Sequence, residues 1–426
     1  MSKLAFLFPG QGSQYVGMGK AMYDKYPLVK QIFEEANDIL GYNISKICFE
    51  GGIEELTKTE ITQPAILTVS FSAYQVYMKE IGITPVFCAG HSLGEYSALT
   101  CSGALKFSDA LKIVSLRGRF MQEAVASDVG IMAAVDGIER DIVEKTCKSI
   151  YESEKSLIGI ACFNSPKQIV VSGEKKSFEI FKEKLGIIGA KIVLLKVSAP
   201  FHSSMMCSAA TKLNEVLVKY EYSDLNWPVI SNVTAKPYFS KDDIVYNLLI
   251  QMTEPVRWQE SIIYLHEQGV DVCVEMGPQS VLKDLMKQIT NSIIVHPFES
   301  ISSLADTRKV LLSNNFDEVK SNASKVIDRC LAIAICTQNN NWNSVEYYNG
   351  VIKPYKKMKE MKEIIEKSGC VPNIDQMREA IEILKTVFCT KKVPIEEQKE
   401  RFNQILNETN TNGVFFDLIK QEEISG

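Results

Sequence analysis

A serine flanked by glycines stands between a short apolar run, residues 85–88, and a segment compatible with a helix. The motif is GHSLG at 90–94. A Gly-X-Ser-X-Gly turn between a strand and a helix presents the serine hydroxyl at the carboxyl end of the strand, and it directs backbone N–H groups at the group under attack. Glycines also flank serines in ordinary turns. The motif therefore predicts a nucleophile at Ser92 and leaves a structural turn as the alternative.

A serine hydroxyl is a weak nucleophile at neutral pH and needs a base within hydrogen-bonding distance. The chain contains four histidines. His91 adjoins Ser92, so we expect its side chain to point away from the nucleophile's pocket. His266 lies in a helical pattern and His296 ends a predicted strand, where structural roles are more common. His202 follows a proline-containing turn between two predicted domains, a rigid position that suits a general base, although a structural role remains open for it.

A second glycine-rich turn, PGQGS at 9–13, follows the first predicted strand at 3–8. It lacks the third glycine of a dinucleotide fingerprint and the Gly-Lys-Ser/Thr of a P-loop, so it is a weak candidate for phosphate binding. A plain strand-to-helix turn is the other alternative. Its two glycines let the backbone approach closely, and a free N–H in this turn could complete an oxyanion hole.

Composition excludes several classes of protein. The 426 residues are 46% apolar and 23% charged, which indicates two or three ordinary globular domains. A net charge of −5 does not favour nucleic acid or an anionic membrane as a partner. The eleven cysteines form no CxxC pair and no Cys/His cluster. We therefore expect reduced thiols, a cytoplasmic location and no metal site. The apolar N-terminal run is too short for a signal sequence.

The elements that must position these residues alternate between strand and helix patterns, which predicts a parallel sheet covered by helices. Predicted strands are 3–8, 85–89, 229–231, 272–275 and 293–295, and predicted helices are 26–40, 64–81 and 107–126. Residues 131–196 follow the order βαββαβ, the ferredoxin-like unit. This unit is predicted as an insertion that leaves a cleft between itself and the larger domain.

The predicted fold class is therefore α/β: a hydrolase-like parallel-sheet domain at 1–127 and 197–300, with a ferredoxin-like subdomain inserted at 128–196. An α-helical extension is predicted at 301–426. In it, Asn373 is a plausible N-cap of a helix with apolar residues at three- and four-residue spacing, and Pro394 could open another helix.

Seven motifs occur in the order and spacing of one known family. They are GQGSQ at 10–14, TQPA at 62–65, GHSLGEYSAL at 90–99, RGRFMQEA at 117–124, NSPKQIVVSG at 164–173, SAPFH at 198–202 and EMGPQSVL at 275–282. Together they resemble the malonyl-CoA:acyl-carrier-protein transacylases of fatty-acid and polyketide synthesis, from residue 1 to about 300. The fold of that family agrees with the elements predicted above.

The resemblance implies a role for each matching residue. Ser92 would be the nucleophile and His202 its base, with the base oriented by a main-chain or amide oxygen of Gln251. The N–H groups of Gln11 and Leu93 would form the oxyanion hole, in which the loss of one donor slows catalysis by ~10²–10³.

The resemblance also implies how the acyl group is chosen. Arg117 would clamp the malonyl carboxylate in a planar, bidentate contact, whereas an arginine seen alone is better read as a helix-surface ion pair. Gln63 would line the same pocket. Leu93 stands where relatives that take methyl-branched extenders often carry glutamine, and Phe201 could fill the space of an α-methyl group. One methylene provides only about 1–3 kcal/mol of discrimination, so we expect a preference for malonyl.

The implied reaction has two steps and needs no metal or bound redox cofactor. Malonyl-CoA would acylate Ser92, and the phosphopantetheine thiol of an acyl carrier protein, or of a carrier domain of a polyketide or fatty-acid synthase, would take the group. The extension beyond residue 300 lies outside the resemblance and favours a transferase that serves a polyketide synthase in trans. Five lysines between 353 and 362 could dock a carrier protein, but a solvated helix face is the favoured interpretation.

Three other functions remain possible. An editing hydrolase that removes acyl groups from carrier proteins would keep Ser92 and His202 but has little use for Arg117. An inactive scaffold would not need the serine or the histidine. A generic esterase explains neither the GQGSQ motif nor the βαββαβ insertion.

Overall fold

The computed structural model describes residues 3–125, 129–195, 199–299, 301–313, 317–368, 372 and 374–409. The chain forms two compact units. The first contains the described residues of 3–76 and 85–307, and the second contains residues 77–84 together with the described residues of 308–409. All the candidate site residues lie in the first unit.

The elements are numbered in chain order. The strands are β1 (Lys3–Phe8), β2 (Phe87–Gly90), β3 (Gly130–Asp136), β4 (Ile158–Ser165), β5 (Gln168–Glu174), β6 (Lys191–Leu194), β7 (Val229–Ile230), β8 (Val270–Met276) and β9 (Ile294–Phe298). The helices of the first part of the chain are α1 (Lys20–Lys25), α2 (Pro27–Leu40), α3 (Ile44–Glu50), α4 (Ile53–Leu56), α5 (Thr59–Glu80), α6 (Leu93–Cys101), α7 (Phe107–Glu123), α8 (Arg140–Glu154), α9 (Lys175–Gly186), α10 (Cys207–Leu217), α11 (Asp243–Ile250), α12 (Trp258–Glu267) and α13 (Val281–Ile289).

A parallel sheet forms the centre of the first unit, with strand order β7-β2-β1-β8-β9. The central strand β1 is buried at five of its six residues, as expected for a strand covered on both faces. Phe8 at the end of β1 lies beside Gly90 at the end of β2. The two glycine-rich turns that follow these strands therefore meet at the same edge of the sheet.

The inserted subdomain has the element order β3-α8-β4-β5-α9-β6 and an antiparallel sheet in the order β4-β5-β3-β6. This is the predicted βαββαβ unit, and the predicted α/β fold class is confirmed. The subdomain is joined to the larger domain by backbone pairing: Phe163 donates to the carbonyl of Val256 at 2.9 Å, and Val256 donates to the carbonyl of Ala161 at 2.8 Å.

Among its described residues, the second unit contains helices and loops but no strand. The helices that follow β9 are α14 (Ile301–Ser313), α15 (Asp317–Cys336), α16 (Ser344–Tyr347), α17 (Lys353–Ser368), α18 (Ile374–Lys391) and α19 (Ile395–Thr409), and a π-helical segment spans Tyr348–Ile352. The boundary between the two units falls within α14, after Thr307. Leu384, Phe388 and Leu406, from the apolar patterns in the sequence, lie in the buried core of the second unit. The proposed N-cap Asn373 lies outside the described residues.

One predicted helix begins in the wrong place. The helix predicted at 64–81 begins at Thr59, and Pro64 lies inside it. Proline favours the first turn of a helix because it has no N–H to donate. Packing overrides that preference: a Cβ added at Gly118 of α7 would lie 2.6 Å from the Thr59 carbonyl oxygen, so α7 supports the extra turn at close range.

The lysines between 353 and 362 lie on α17 and are partly neutralised. Lys357 pairs with Glu379 at 2.6 Å, and Lys362 pairs with Asp328 at 2.6 Å. These contacts fit the favoured interpretation of a solvated helix face. Among the described residues, no helix is both long and apolar enough to cross a membrane.

Candidate active site

The turn that carries Ser92 is tightly constrained. Ser92 has φ 51° and ψ −102°, a backbone conformation that is strained for a residue with a side chain and that recurs at functional sites. A Cβ at Gly90 would lie 1.9 Å from the Gly94 carbonyl carbon, and a Cβ at Gly94 would lie 2.0 Å from the Phe8 carbonyl oxygen. Both glycines are therefore required for the turn to pack against the end of β1.

Ser92, His202 and Gln251 form a chain of hydrogen bonds. Ser92 Oγ lies 2.8 Å from His202 Nε2, and His202 Nδ1 lies 2.7 Å from the main-chain oxygen of Gln251. A carbonyl oxygen only accepts, so Nδ1 carries the proton and Nε2 is left to accept from the serine hydroxyl. The geometry is that of a serine nucleophile with a histidine base, in which a main-chain carbonyl replaces the usual carboxylate.

The histidine is held in its neutral form. Burial and, to a smaller extent, the Arg117 cation lower the pKa of His202 to about 3, although the hydrogen bond to Gln251 opposes the shift. At neutral pH the ring is therefore unprotonated and able to accept a proton. The backbone at His202 also has a positive φ, 55°.

Arg117 is a buried cation beside the serine. Its side chain lies on α7 and is 1% exposed. Nη2 donates to Ser92 Oγ at 3.2 Å and to Gln251 Oε1 at 2.9 Å, and the guanidinium carbon lies 5.2 Å from the ring centroid of Tyr96. Burial lowers the pKa of Arg117. Among the described residues it forms no salt bridge, and its Nε has no hydrogen-bond partner. A helix-surface ion pair is therefore the wrong interpretation of this arginine.

Gln63 lies on α5 and contacts α7, the helix that carries Arg117. It is 1% exposed, and its Nε2 lies 3.5 Å from the sulfur of Met121, one helical turn after Arg117. Its Oε1 has no hydrogen-bond partner among the described residues. Gln63 and Arg117 thus each bring an unpartnered buried polar atom to the same region.

The two glycine-rich turns are in close contact, as an oxyanion hole requires. A Cβ at Gly10 would lie 2.3 Å from the His91 carbonyl oxygen. The N–H of Ser92 donates to Asn232 Oδ1 at 2.7 Å, so it is occupied. The hydrogen bonds of the described residues do not use the N–H groups of Gln11 or Leu93. The prediction that these two donors form an oxyanion hole is compatible with these contacts.

The sequence analysis missed two residues of this site, Asn232 and Glu95, and also Tyr238, which bonds to Glu95. Asn232 accepts from Ser92 and donates from Nδ2 to the Gly90 carbonyl at 2.6 Å. Glu95 is bonded to Gln251 and to Tyr238. Asn232 follows β7, which lies beside β2 in the sheet. A polar residue at the end of a strand next to the one that carries the nucleophile could have indicated a site residue. Glu95 is the single charged residue of α6, and one charge in an otherwise uncharged segment was a second signal.

The other histidines do not contact the serine. His91 Nε2 lies 2.8 Å from Asn164 Oδ1 in the inserted subdomain, so its ring is held elsewhere. His266 lies in the last turn of α12. His296 lies inside β9 and not at its end, because that strand continues to Phe298. The described residues contain no cluster of three or more His, Cys, Asp or Glu side chains that could hold a metal.

Comparison with known proteins agrees with this geometry. Residues 5–320 match a family model described as an acyl transferase domain. A malonyl CoA-acyl carrier protein transacylase of Bacillus subtilis is 41% identical over 401 residues, which is 93% of this chain and 99% of that protein. The chain belongs to the malonyl-CoA:acyl-carrier-protein transacylase family. The resemblance stated from the sequence motifs is thereby confirmed.

Solved transacylase structures share the fold of the first unit. A malonyl transacylase of a type II polyketide synthase, solved with its acyl carrier protein, is 39% identical with a TM-score of 0.70 and covers 72% of this chain and 100% of its own. The transacylase of Clostridium perfringens is also 39% identical, with a TM-score of 0.70, and covers 73% of this chain and 98% of its own.

The sequence similarity extends beyond residue 320 in one transacylase but not in another. The Escherichia coli K12 transacylase is 41% identical over 306 residues and covers 72% of this chain. The Bacillus subtilis relative that covers 93% extends well beyond that point. The expectation that similarity ends near residue 300 is therefore wrong for that relative, and the extension is no sign of a departure from the family.

Proposed function

We propose that the chain transfers a malonyl group from malonyl-CoA to the phosphopantetheine thiol of an acyl carrier protein, through a malonyl ester on Ser92. The observation that carries this proposal is the buried guanidinium of Arg117. Its Nη2 lies 3.2 Å from Ser92 Oγ, and its Nε has no hydrogen-bond partner among the described residues. A buried cation with no carboxylate in direct contact is costly and favours an anionic ligand. The free carboxylate of a malonyl group supplies that anion next to the thioester under attack.

The first step forms the ester. His202 Nε2 accepts the proton of Ser92 as Oγ attacks the thioester carbonyl of malonyl-CoA. The negative charge on the carbonyl oxygen is bound by the N–H groups of Gln11 and Leu93. The carbon–sulfur bond then breaks, and the CoA sulfur leaves with the proton that His202 returns. Ser92 now carries the malonyl ester, and His202 is neutral again.

The second step reverses the roles of the same groups. The carrier thiol gives its proton to His202, and its sulfur attacks the ester carbonyl. The oxygen–carbon bond to Ser92 breaks, and the serine takes the proton back from His202. The enzyme is regenerated and the carrier holds the malonyl thioester. The low pKa of His202 keeps the ring unprotonated at the start of both steps.

Binding of the malonyl carboxylate also supports the base. The Arg117 cation is one cause of the low pKa of His202. A carboxylate on Arg117 offsets that charge and makes His202 more basic when the correct substrate is bound. Phe201, which precedes His202 and is 6% exposed, and Leu93 would restrict the space for an α-methyl group. We expect malonyl to be preferred over methylmalonyl, without exclusivity.

We extend the proposal to carrier proteins of polyketide synthesis, because one structural relative is the malonyl transacylase of a type II polyketide synthase in complex with its carrier. A cytoplasmic location is part of the same proposal. The ten cysteines among the described residues are free thiols, as expected in a reducing compartment.

The test is a transfer assay with malonyl-CoA and phosphopantetheinylated carrier proteins from a fatty-acid and a polyketide system, read by the mass of the carrier and by free malonate. We expect malonyl-carrier, with little free malonate, and no product with Ser92→Ala. Loss of acyl groups from carriers to water would establish the editing hydrolase instead. A chain with neither activity would be a scaffold. Faster transfer to the fatty-acid carrier would refute the polyketide assignment alone.

A further inference from the structure

The carboxylate of Glu95 lies behind the site and is not used by either step above. Its side chain is fully buried in α6. Oε2 accepts from Gln251 Nε2 at 2.7 Å and from the Asn232 backbone N–H at 3.2 Å, and Oε1 accepts from the Tyr238 hydroxyl. Burying an ionised carboxylate costs free energy unless hydrogen-bond donors stabilise its charge. In these contacts the Glu95 carboxylate meets three hydrogen-bond donors and no acceptor.

The amide of Gln251 lies between Glu95 and Arg117. Its Nε2 donates to Glu95 at 2.7 Å, and its Oε1 accepts from Arg117 Nη2 at 2.9 Å. Nε2 also donates to the Ser92 carbonyl at 2.9 Å. A rotated amide would place its oxygen against a carboxylate and a carbonyl, and its NH₂ against a guanidinium. Glu95 and Arg117 therefore permit only one orientation of the Gln251 amide.

Gln251 contacts both functional groups of the site. Its main-chain oxygen accepts from His202 Nδ1 at 2.7 Å, and its side-chain oxygen holds Arg117. We propose that Glu95 is a positioning residue: its ionised carboxylate fixes Gln251, and Gln251 in turn holds His202 and Arg117 against Ser92. This inference rests on the proposed malonyl transfer, because it assigns Arg117 to the substrate carboxylate.

The ionised form is the one that the site requires. A proton on Oε2 would face the N–H donors of Gln251 and Asn232, whereas a proton on Oε1 can be donated to the Tyr238 oxygen. In the second case Oε2 still accepts from Gln251, but without the negative charge that strengthens this hydrogen bond. Burial raises the pKa of Glu95 to about 7, while hydrogen bonds from Tyr238, Gln251 and Asn232 and the charge of Arg117 lower it. As the pH falls through about 7, the charged form is lost and the Gln251 amide is held less tightly.

No other group that faces Glu95 accounts for a change near pH 7. Burial raises the pKa of Tyr238 well above its usual value and that of Tyr96 to about 12. Arg117 stays cationic, and the pKa of His202 lies at about 3. The inference therefore predicts that kcat/KM for malonyl-CoA declines on the acid side of about pH 7, and that Glu95 causes the decline.

The experiment compares pH profiles of kcat/KM for the full chain, Glu95→Gln and the control Glu275→Gln. Glutamine at 95 can still accept from Gln251 and donate to the Tyr238 oxygen, so it removes mainly the charge. Glu275 is a matched control because it is also fully buried, has a pKa raised by burial to about 7, and accepts two backbone N–H groups at the start of α13.

We expect Glu95→Gln to lower kcat/KM by about tenfold to a hundredfold at pH 8, the range of one hydrogen bond to a charged group, and to flatten the profile between pH 5 and 8. Glu275→Gln should keep the rate and the profile of the unchanged chain. A Glu95→Gln enzyme with an unchanged rate and acid limb would overturn the inference while malonyl transfer stands. An unchanged chain without malonyl transfer would overturn both.

Tyr238→Phe provides a second test that does not depend on the folding of Glu95→Gln. The Tyr238 hydroxyl lowers the pKa of Glu95, so its removal should move the acid limb to higher pH. A purely structural role would change the amount of folded protein and leave the position of the limb unchanged. A limb that does not move in Tyr238→Phe would contradict the assignment to Glu95.

Discussion

Replacing Arg117 with alanine should convert a malonyl-selective enzyme into an unselective one. Arg117 is 1% exposed, and Nη2 is its described point of contact with Ser92 and Gln251. In the proposed complex the guanidinium and the malonyl carboxylate form a buried pair. Removing one partner of such a pair costs about 3–5 kcal/mol. At about 1.4 kcal/mol for each factor of ten, kcat/KM for malonyl-CoA should fall roughly 150- to 5,000-fold.

The same change should not slow the enzyme on acetyl-CoA. An acetyl group brings no carboxylate, so Arg117 gives it no ion pair. Arg117 is also one cause of the low pKa of His202, and its removal makes that base stronger. We therefore expect kcat/KM for acetyl-CoA to stay level or to rise.

The assay is the release of CoA from malonyl-CoA and acetyl-CoA at pH 8, with Arg119→Ala as the control. Arg119 lies on the same helix, but its side chain is half exposed and pairs with Glu123 at 4.0 Å. The control should match the unchanged chain on both substrates. An equal loss on malonyl-CoA and acetyl-CoA in Arg117→Ala would refute the assignment of Arg117 to the substrate carboxylate.

Three further changes test the supports of the site and of the helical unit. Asn232→Ala leaves the Ser92 N–H without its partner, so it should cost about 1–3 kcal/mol in chemical denaturation and slow acylation. Gly94→Ala places a Cβ 2.0 Å from a carbonyl oxygen and should lower the melting temperature sharply, whereas Gly186→Ala, with nothing within 4 Å, should not. Lys391→Met leaves two carbonyls at the end of α15 without the buried ammonium, so it should destabilise the helical unit by about 1–3 kcal/mol without slowing malonyl transfer.

The fold was largely predictable because its strands are short apolar runs bounded by turn residues. The predicted strand at 3–8 matches β1, and the βαββαβ order of the insertion follows from alternating patterns within one stretch of chain. The start of α5 was not predictable from local preference. Pro64 indicates a first turn, whereas the contact of Thr59 with Gly118 depends on a residue more than fifty positions away.

The residues of the site also fall into those that the sequence predicted and those that it did not. Ser92 stands in a local motif, and His202 was accessible because the chain has only four histidines. Arg117 could not be distinguished from a surface arginine until its burial was known, so its role depended on the family resemblance. Glu95 and Asn232 were missed because their importance lies in contacts across 137 and 140 positions of sequence. Burial converts an ordinary polar residue into part of a network, and sequence spacing does not record it.

The central claim is a malonyl ester on Ser92 that passes to a carrier thiol. The direct measurement is intact-protein mass spectrometry after brief mixing with malonyl-CoA, followed by removal of free CoA, peptide mapping and a chase with phosphopantetheinylated carrier protein. The account predicts one malonyl adduct on the peptide that contains Ser92, none in Ser92→Ala, and loss of the adduct as the carrier gains the same mass. An adduct on another residue, or malonate released to water while the carrier stays unmodified, would contradict it.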